Sequence, residues 1–349
     1  MTELERLGAC VPALLHWHEQ NRRLLPWRVD RTPYSAWVAE IMLQQTRIEA
    51  AIPYYARFME RLPTVEALAS VPDEELMKLW EGLGYYSRAR NLKKAAQEIV
   101  TKWGGQLPQE VEQLKSLPGI GDYTAGAIAS IAYGKPAPAV DGNVLRVVLR
   151  LNSSREDALS TKTRARITKV LSQVYPSGQK AGLLTEGIME LGETVCLPQG
   201  AMRCDICPVA SLCLARERGE AALLPVRSEK KPRRVEERTV LLLRCGERYA
   251  LQRRENSGLL AGLWEFPSRE GALGPDELQE WLDELGVQPL AVDFCGEARH
   301  IFTHVEWHMR GYRVLCTQEA AALQWGTARE IRQSYAIPSA YRFYLGQLE

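Results

Sequence analysis

A chain of 349 residues with 46% apolar content can bury a large core, and its length predicts two or three domains rather than one. No stretch approaches the roughly 18 consecutive apolar residues of a membrane helix. The N-terminus carries Glu3 and Glu5 early and no apolar signal core, unlike a secretory leader, so a cytoplasmic protein with no membrane role is expected. The formal net charge of +1 excludes any argument for nucleic acid from overall charge, and such a partner must be argued from local patches and site chemistry.

Residues 11–23 carry Leu14, Leu15 and Trp17 at near-helical spacing, and the pattern stops at Leu25-Pro26-Trp27-Arg28. A second helix is predicted over 34–46. Ala36, Trp37, Val38, Ala39, Ile41, Met42 and Leu43 occupy almost its whole circumference, yet it contains Glu40. Desolvation disfavours a carboxylate among apolar groups and raises its pKa, which leaves a proton to donate near neutral pH. The plainer reading is a helix glutamate whose head reaches water or Arg47. Helical patterns continue over 48–61, 65–70, 73–80, 86–103 and 111–116, with no strand alternation between them.

Then comes Leu117-Pro118-Gly119-Ile120-Gly121-Asp122-Tyr123-Thr124-Ala125. Two glycines around one apolar residue, between a short helix and a small-residue helical run (123–133), make a tight turn. Its amides from Gly119 to Gly121 are expected to point outward together, a nest suited to a phosphate. After the loop 134–140, Val140-Asp141-Gly142-Asn143 opens a helix over 144–151. Asp141 stands where an N-cap belongs, and amides with a helix N-terminus favour its anion, so it is expected to stay ionised. Helices over 161–175 and 180–194 complete an all-α region.

Four of the eight cysteines follow as Cys196, Cys204, Cys207 and Cys213, in the pattern C-x7-C-x2-C-x5-C, while Cys10, Cys245, Cys295 and Cys316 are scattered. A disulfide framework would spread them. Four thiolates around a 4Fe-4S cluster, a structural zinc, and unrelated buried thiols remain as readings, in a reducing compartment. From 217 to 238 apolar periodicity is lost, and Lys230-Lys231-Pro232-Arg233-Arg234 marks an interdomain linker, either solvated or lying along a phosphate backbone. Beyond it an α+β module of about 110 residues is predicted. Its strands run over 239–243, 249–253, 292–294 and 300–314, with Trp264-Glu265-Phe266-Pro267 after a Gly-rich turn and helices over 277–285 and 340–348. No internal repeat relates the two parts.

The hairpin followed by an acid resembles the helix-hairpin-helix DNA glycosylase superfamily, and the 18 positions from Tyr123 to Asp141 match that superfamily's register. More sharply, Leu25-Pro26-Trp27-Arg28, Glu40-Ile41-Met42-Leu43-Gln44-Gln45-Thr46, Glu81-Gly82-Leu83-Gly84-Tyr85-Tyr86 and Val140-Asp141-Gly142-Asn143-Val144 resemble MutY-type adenine DNA glycosylases over essentially the whole chain. The resemblance implies a multidomain protein. An all-α helix-hairpin-helix core with a 4Fe-4S cluster occupies 1–216: a six-helix module at about 28–133, and an iron-sulfur module from 1–27 and 134–216. A linker (217–238) and an α+β Nudix-like lesion-recognition domain (239–349) follow.

The implied activity is base excision repair: hydrolysis of the N-glycosidic bond of adenine mispaired with 8-oxoguanine or guanine in duplex DNA, by a monomer acting at nucleoid DNA. Where bifunctional relatives carry an attacking lysine, this hairpin has Tyr123, which forms no Schiff base, so the strand is expected to stay intact. Glu40 is the implied acid to adenine N7 and activator of water. Asp141 is the implied stabiliser or trap of an oxocarbenium-like sugar, with Asn143 and Tyr123 completing the catalytic set. Trp27, Arg28 and Glu186 are implied to line the adenine pocket. Gln45, Leu83 and Tyr85 are implied to enter the base stack, Gly119 and Gly121 to hold a phosphate, and Phe302, Thr303 and His304 to read 8-oxoguanine. Cys196, Cys204, Cys207 and Cys213 are the implied cluster ligands.

Two departures stand out. The family usually has serine where Thr303 stands, and six residues rather than seven in the first cysteine gap. The 277–285 segment also lacks the arginine-led acid triplet by which Nudix hydrolases hold magnesium, so pyrophosphatase activity is not expected. A thymine-mismatch glycosylase of the same fold, and a non-catalytic DNA-binding module, are the alternative readings; the terminal module and Glu40 argue against the first, the acid pair against the second.

Overall fold

A computed structural model describes every residue except Gln199, Ala201, Lys230 and Lys231, so both lysines of the basic run and part of the first cysteine gap lie outside the described residues. Contacts divide the chain into two compact units, one of 1–70 with 90–229 and the other of 71–89 with 230–349. Among the described residues no helix is long and apolar enough to cross a membrane.

The first unit is helical. Its opening helix, Glu3–Asn21, begins eight residues before the predicted start because Thr2 and Glu5 form a capping box. Helix Pro33–Leu43 is capped by Thr32 and is buried on nearly every side, as its composition requires. It stops three residues short of the predicted end. Gln45 there adopts φ 57°, a left-handed conformation that no β-carbon-bearing residue prefers.

Helices Val111–Lys115 and Asp122–Tyr133 form the hairpin. Gly119 has φ 78°, and a Cβ on it would lie 2.8 Å from the Asn91 Cβ, so the turn admits only glycine. Helices Gly142–Leu151 and Gln179–Thr194 pack together with Glu3–Asn21 around Leu14, Leu145, Val148, Leu184 and Ile188. Cys10, remote in sequence, joins this core, with Cys196, Cys207 and Cys213 packed against it.

The second unit is built on a seven-stranded mixed sheet. Its strands are β1 (Arg234–Cys245), β2 (Arg248–Arg253), β3 (Trp264–Glu265), β4 (Ser268–Glu270), β5 (Pro289–Ile301), β6 (Val305–Cys316) and β7 (Gln324–Thr327). The central order is β3-β2-β1-β6-β5, with β1 and β6 parallel and the other pairs antiparallel. In β1, Val240 and Leu242 enter one core with Trp307 and Tyr344, while Leu241 and Leu243 enter the other with Trp281 of helix Pro275–Glu284. Burial on both faces explains the unbroken apolar run of β1.

The predicted strand over 300–314 is two strands, because Phe302-Thr303-His304 turns the chain between β5 and β6 and Phe302 N–H closes that turn on Val305 C=O at 2.8 Å. The predicted terminal helix is shorter as well, Arg342–Leu345 after a single 3-10 turn. The segment 71–89 is tied to this unit by Lys78 Nζ donating to Tyr335 C=O (2.9 Å) and Ile337 N–H donating to the Glu81 carboxylate (2.7 Å).

Candidate active site

Inside the first unit lies a cavity of about 640 Å³, a size typical of small-molecule sites. Trp27, Arg28, Glu40, Gln45, Tyr123, Asp141, Asn143 and Glu186 all line it, so one space collects side chains from five stretches of chain. The seating of each is local. Glu40 lies on the buried helix Pro33–Leu43, Tyr123 in the first turn of the hairpin's second helix, Asp141 at the N-cap of Gly142–Leu151, and Glu186 on Gln179–Thr194. Gln44 Nε2 donates to Thr124 Oγ1 at 3.2 Å and ties the end of the Glu40 helix to the Tyr123 helix.

Glu40 is 6% exposed. The Tyr123 hydroxyl donates to its Oε2 at 2.6 Å. Burial pushes the Glu40 carboxyl up to about 7, with Asp141 and Glu186 adding repulsion and the Tyr123 hydrogen bond opposing the rise. Such a group is an acid and a base in turn near neutral pH. The Tyr123 phenol is held far above its usual range by burial and by Glu40 beside it, so it stays a donor.

Asp141 accepts from Val144 N–H at 2.7 Å and from Asn143 Nδ2 at 2.9 Å. The N-cap is present as expected. Burial raises the carboxyl above its ordinary value, while these donors and Arg146 oppose the rise and favour the anion.

Arg146 continues the chain of contacts. It donates to Asn143 Oδ1 at 2.8 Å, to Gly192 C=O at 2.7 Å and to Cys196 C=O at 2.8 Å. Gly192 permits the approach, since a Cβ there would lie 2.6 Å from the Asn143 Cβ. On the other side, Arg164 of the helix Thr161–Ser172 donates to Val140 C=O, just before Asp141.

Arg23, Met189 and Glu190 are among the lining residues that sequence reasoning missed. Glu190 is one helical turn beyond Glu186, a spacing that marks a shared face. Its carboxylate takes Arg28 at 2.8 Å and also Arg23. Arg31 donates to Glu186 Oε2 at 2.8 Å. Burial alone would raise the Glu186 and Glu190 carboxyls, yet these partners hold both below the ordinary range.

In the hairpin, Ile120 N–H donates to Leu117 C=O at 3.2 Å, so that amide is spent within the turn and the expected three-amide nest reduces to Gly119 and Gly121. In the second unit, Tyr85 and Thr303 are exposed and their hydroxyls share a hydrogen bond of 2.8 Å. Tyr85 has φ 48°, a strained backbone of the kind found at functional sites. Leu83 is buried and His304 exposed, while Phe302 stacks edge-on with His300 (4.5 Å) and Trp307 (4.9 Å).

The four clustered cysteines form no disulfide and are half-buried. Burial and the charges of the other three push the Cys207 thiol up to about 11, and Cys213 is raised by burial and by Cys196 and Cys204, so the four sulfurs share one electrostatic neighbourhood. Arg150, fully buried, donates to Cys196 Sγ at 3.2 Å. Among the described residues no group of three or more His, Cys, Asp or Glu is arranged to hold a single metal ion.

Comparison with known proteins gives two family matches: the HhH-GPD superfamily base excision DNA repair protein over residues 38–173, and the NUDIX domain over residues 239–347. The chain is 35% identical to an adenine DNA glycosylase of Homo sapiens, over 96% of this chain and 74% of that protein. It is 30% identical to an adenine DNA glycosylase of Buchnera aphidicola, over 84% and 82%. Among solved structures it is similar to a thermostable thymine-DNA glycosylase (TM-score 0.56, 27% identity, 61% of this chain and 98% of that one) and to endonuclease III in a non-covalent DNA complex (TM-score 0.53, 25%, 63% and 98%).

Proposed function

The chain belongs to the adenine DNA glycosylase family, and from that premise we propose that it hydrolyses the N-glycosidic bond of adenine mispaired with 8-oxoguanine or guanine in duplex DNA, leaving the strand uncut. The observation that carries this reading is the pair of buried carboxyls, Glu40 under the Tyr123 hydroxyl and Asp141 under Val144 and Asn143, on one cavity. An extruded adenine enters that cavity at a cost of a few kcal/mol in unstacking. Glu40 gives its proton to N7, the leaving base departs, and the oxocarbenium-like sugar is stabilised by ionised Asp141. Glu40, now a carboxylate, takes the proton of the attacking water. Tyr123 has no amine to attack the sugar, and its phenol remains protonated, which supports base removal without lyase chemistry.

Recognition of the opposite base falls to the Tyr85–Thr303 hydroxyl pair. Its two members supply a donor and acceptors on an exposed surface, and Thr303 keeps the hydroxyl of the family's serine. The C-x7-C-x2-C-x5-C spacing, with Cys196, Cys207 and Cys213 packed against one core, supports a 4Fe-4S cluster that Cys196, Cys204, Cys207 and Cys213 would hold after helix Gln179–Thr194. Iron and acid-labile sulfide at about four each per chain support it, and stoichiometric zinc without sulfide refutes it.

Single-turnover excision decides the main reading. Duplexes with adenine opposite 8-oxoguanine, guanine or cytosine, and thymine opposite guanine, are incubated with the protein and resolved with and without alkali. Adenine loss fastest opposite 8-oxoguanine, with breaks appearing only after alkali, is the expected result. Thymine loss in place of adenine loss refutes the substrate, and breaks without alkali refute the monofunctional step.

A further inference from the structure

The helix Glu3–Asn21 buries one histidine completely, His18, at 0% exposure. It packs on the helix Gln179–Thr194 at Gly187, where an added Cβ would lie 3.2 Å from the His18 Cβ. Its Nε2 stands 3.3 Å from Glu186 Oε2, and its Nδ1 has no hydrogen-bond partner. Glu186 is acceptor-only when ionised, and its carboxyl is kept below the ordinary range against burial by His18 first and then by Arg28 and Arg31. The tautomer with its hydrogen on Nε2 therefore suits both ring nitrogens: the carboxylate accepts from Nε2, and Nδ1 carries no hydrogen in need of an acceptor.

The remaining charges around Glu186 leave its two oxygens unequal. Oε2 takes both His18 and Arg31, the latter at 2.8 Å, whereas Oε1 has Arg28 Nε at 3.7 Å, beyond hydrogen-bond length. Arg28 itself is engaged by Glu190 at 2.8 Å, and Arg23 by Glu190 and Glu193. The Arg31 side chain is about a third exposed, so it restrains less than a wholly buried ring does.

We infer that His18 is a positioning residue for base excision: from behind the cavity wall it holds Glu186 by Oε2 and so presents Oε1 to the extruded base. This rests on the reading of the cavity as the adenine pocket. His18 touches neither base nor sugar, and its effect passes wholly through Glu186. The ring cannot be replaced by an apolar side chain of similar size, because Glu186 would lose the one restraint that water does not reach.

The test uses the full chain and an adenine:8-oxoguanine duplex, with rates measured at saturating enzyme and active molecules counted by burst titration, so that a partly unfolded variant still reports its own rate constant. His18→Phe and His18→Leu are expected to slow single-turnover excision about ten-fold, the effect of one lost hydrogen bond to a charged group, while binding of a duplex with a non-hydrolysable adenosine stays within about three-fold. His18→Gln, whose amide nitrogen reaches the Nε2 position, is expected to recover most of the rate. The double variant with Glu186→Gln is expected to be no slower than Glu186→Gln alone. Wild-type rates in both apolar variants beside a slowed Glu186→Gln overturn the role of His18, as do a His18→Gln variant as slow as His18→Leu and strictly multiplicative losses in the double variant. Glu186→Gln at the wild-type rate overturns the placement of Glu186 in the pocket, and the role of His18 with it.

Discussion

Replacing Glu40 with glutamine is expected to abolish excision and at the same time stabilise the fold at alkaline but not at acid pH. The carboxyl ionises near 4.5 in the unfolded chain and at about 7 in the folded one, because folding buries it. The folded state therefore binds more protons than the unfolded state between those values, and stability falls as pH rises through that window. At pH 8 the full cost is present, about 3 kcal/mol for a shift of this size, whereas at pH 5 it is under about 1 kcal/mol. Glutamine keeps the acceptor for Tyr123 and carries no charge, so it removes that cost. For a unit of this size 1 kcal/mol moves the melting temperature by about 2–4 °C. The variant should thus melt about 6–12 °C above the wild type at pH 8 and within about 4 °C of it at pH 5. Differential scanning fluorimetry at both pH values checks the stability, and single-turnover excision checks the chemistry. An equal gain at both pH values would refute the buried-acid argument, and retained excision would refute the assignment of the proton donor.

Three other perturbations separate the remaining parts. Tyr123→Phe removes the hydrogen bond that lowers the Glu40 pKa, so the decline of single-turnover rate with rising pH should move to higher pH; a profile unchanged or moved downward contradicts the coupling. Asp141→Asn keeps the N-cap acceptor for Val144 but loses the negative charge, so excision should fall at least about 100-fold while lesion-duplex binding and melting temperature change little; a loss of binding that matches the loss of rate would make Asp141 a fold residue only. Gly119→Ala forces a β-carbon into a left-handed turn and against Asn91, at a cost of roughly 1–3 kcal/mol, and should weaken binding to undamaged and lesion duplexes alike in gel-shift titrations; selective loss for the lesion would contradict a role in phosphate holding.

Readings that rest on neighbouring residues were legible in the sequence. The apolar circumference around Glu40, the Gly119-Ile120-Gly121 turn and the N-cap at Asp141 each follow from a few consecutive side chains, and the helix, hairpin and cap stand there. Balances between opposing forces were not legible. The donors to Asp141 are written beside it in the sequence, but the burial that opposes them appears only in the folded structure. The backbone reversals at Gln45 and Tyr85 were hidden because neither residue type favours positive φ. The assignment of 71–89 to the unit of the C-terminal sheet depends on Lys78, Glu81 and Tyr85 meeting residues more than 200 positions away.

The two acids share the upward push of burial and differ in the donors that oppose it. Both are buried, and burial raises both. Glu40 receives a single hydroxyl donor and faces other carboxylates, so little restores its anion. Asp141 receives a backbone amide and a side-chain amide, with Arg146 behind that amide, and these oppose the rise that burial causes. Protonating a leaving base while keeping an anion beneath a cationic sugar requires that inequality. Arg146 does not line the cavity, yet by gripping Asn143 and the Cys196 carbonyl together it links the donor set of Asp141 to the cysteine segment.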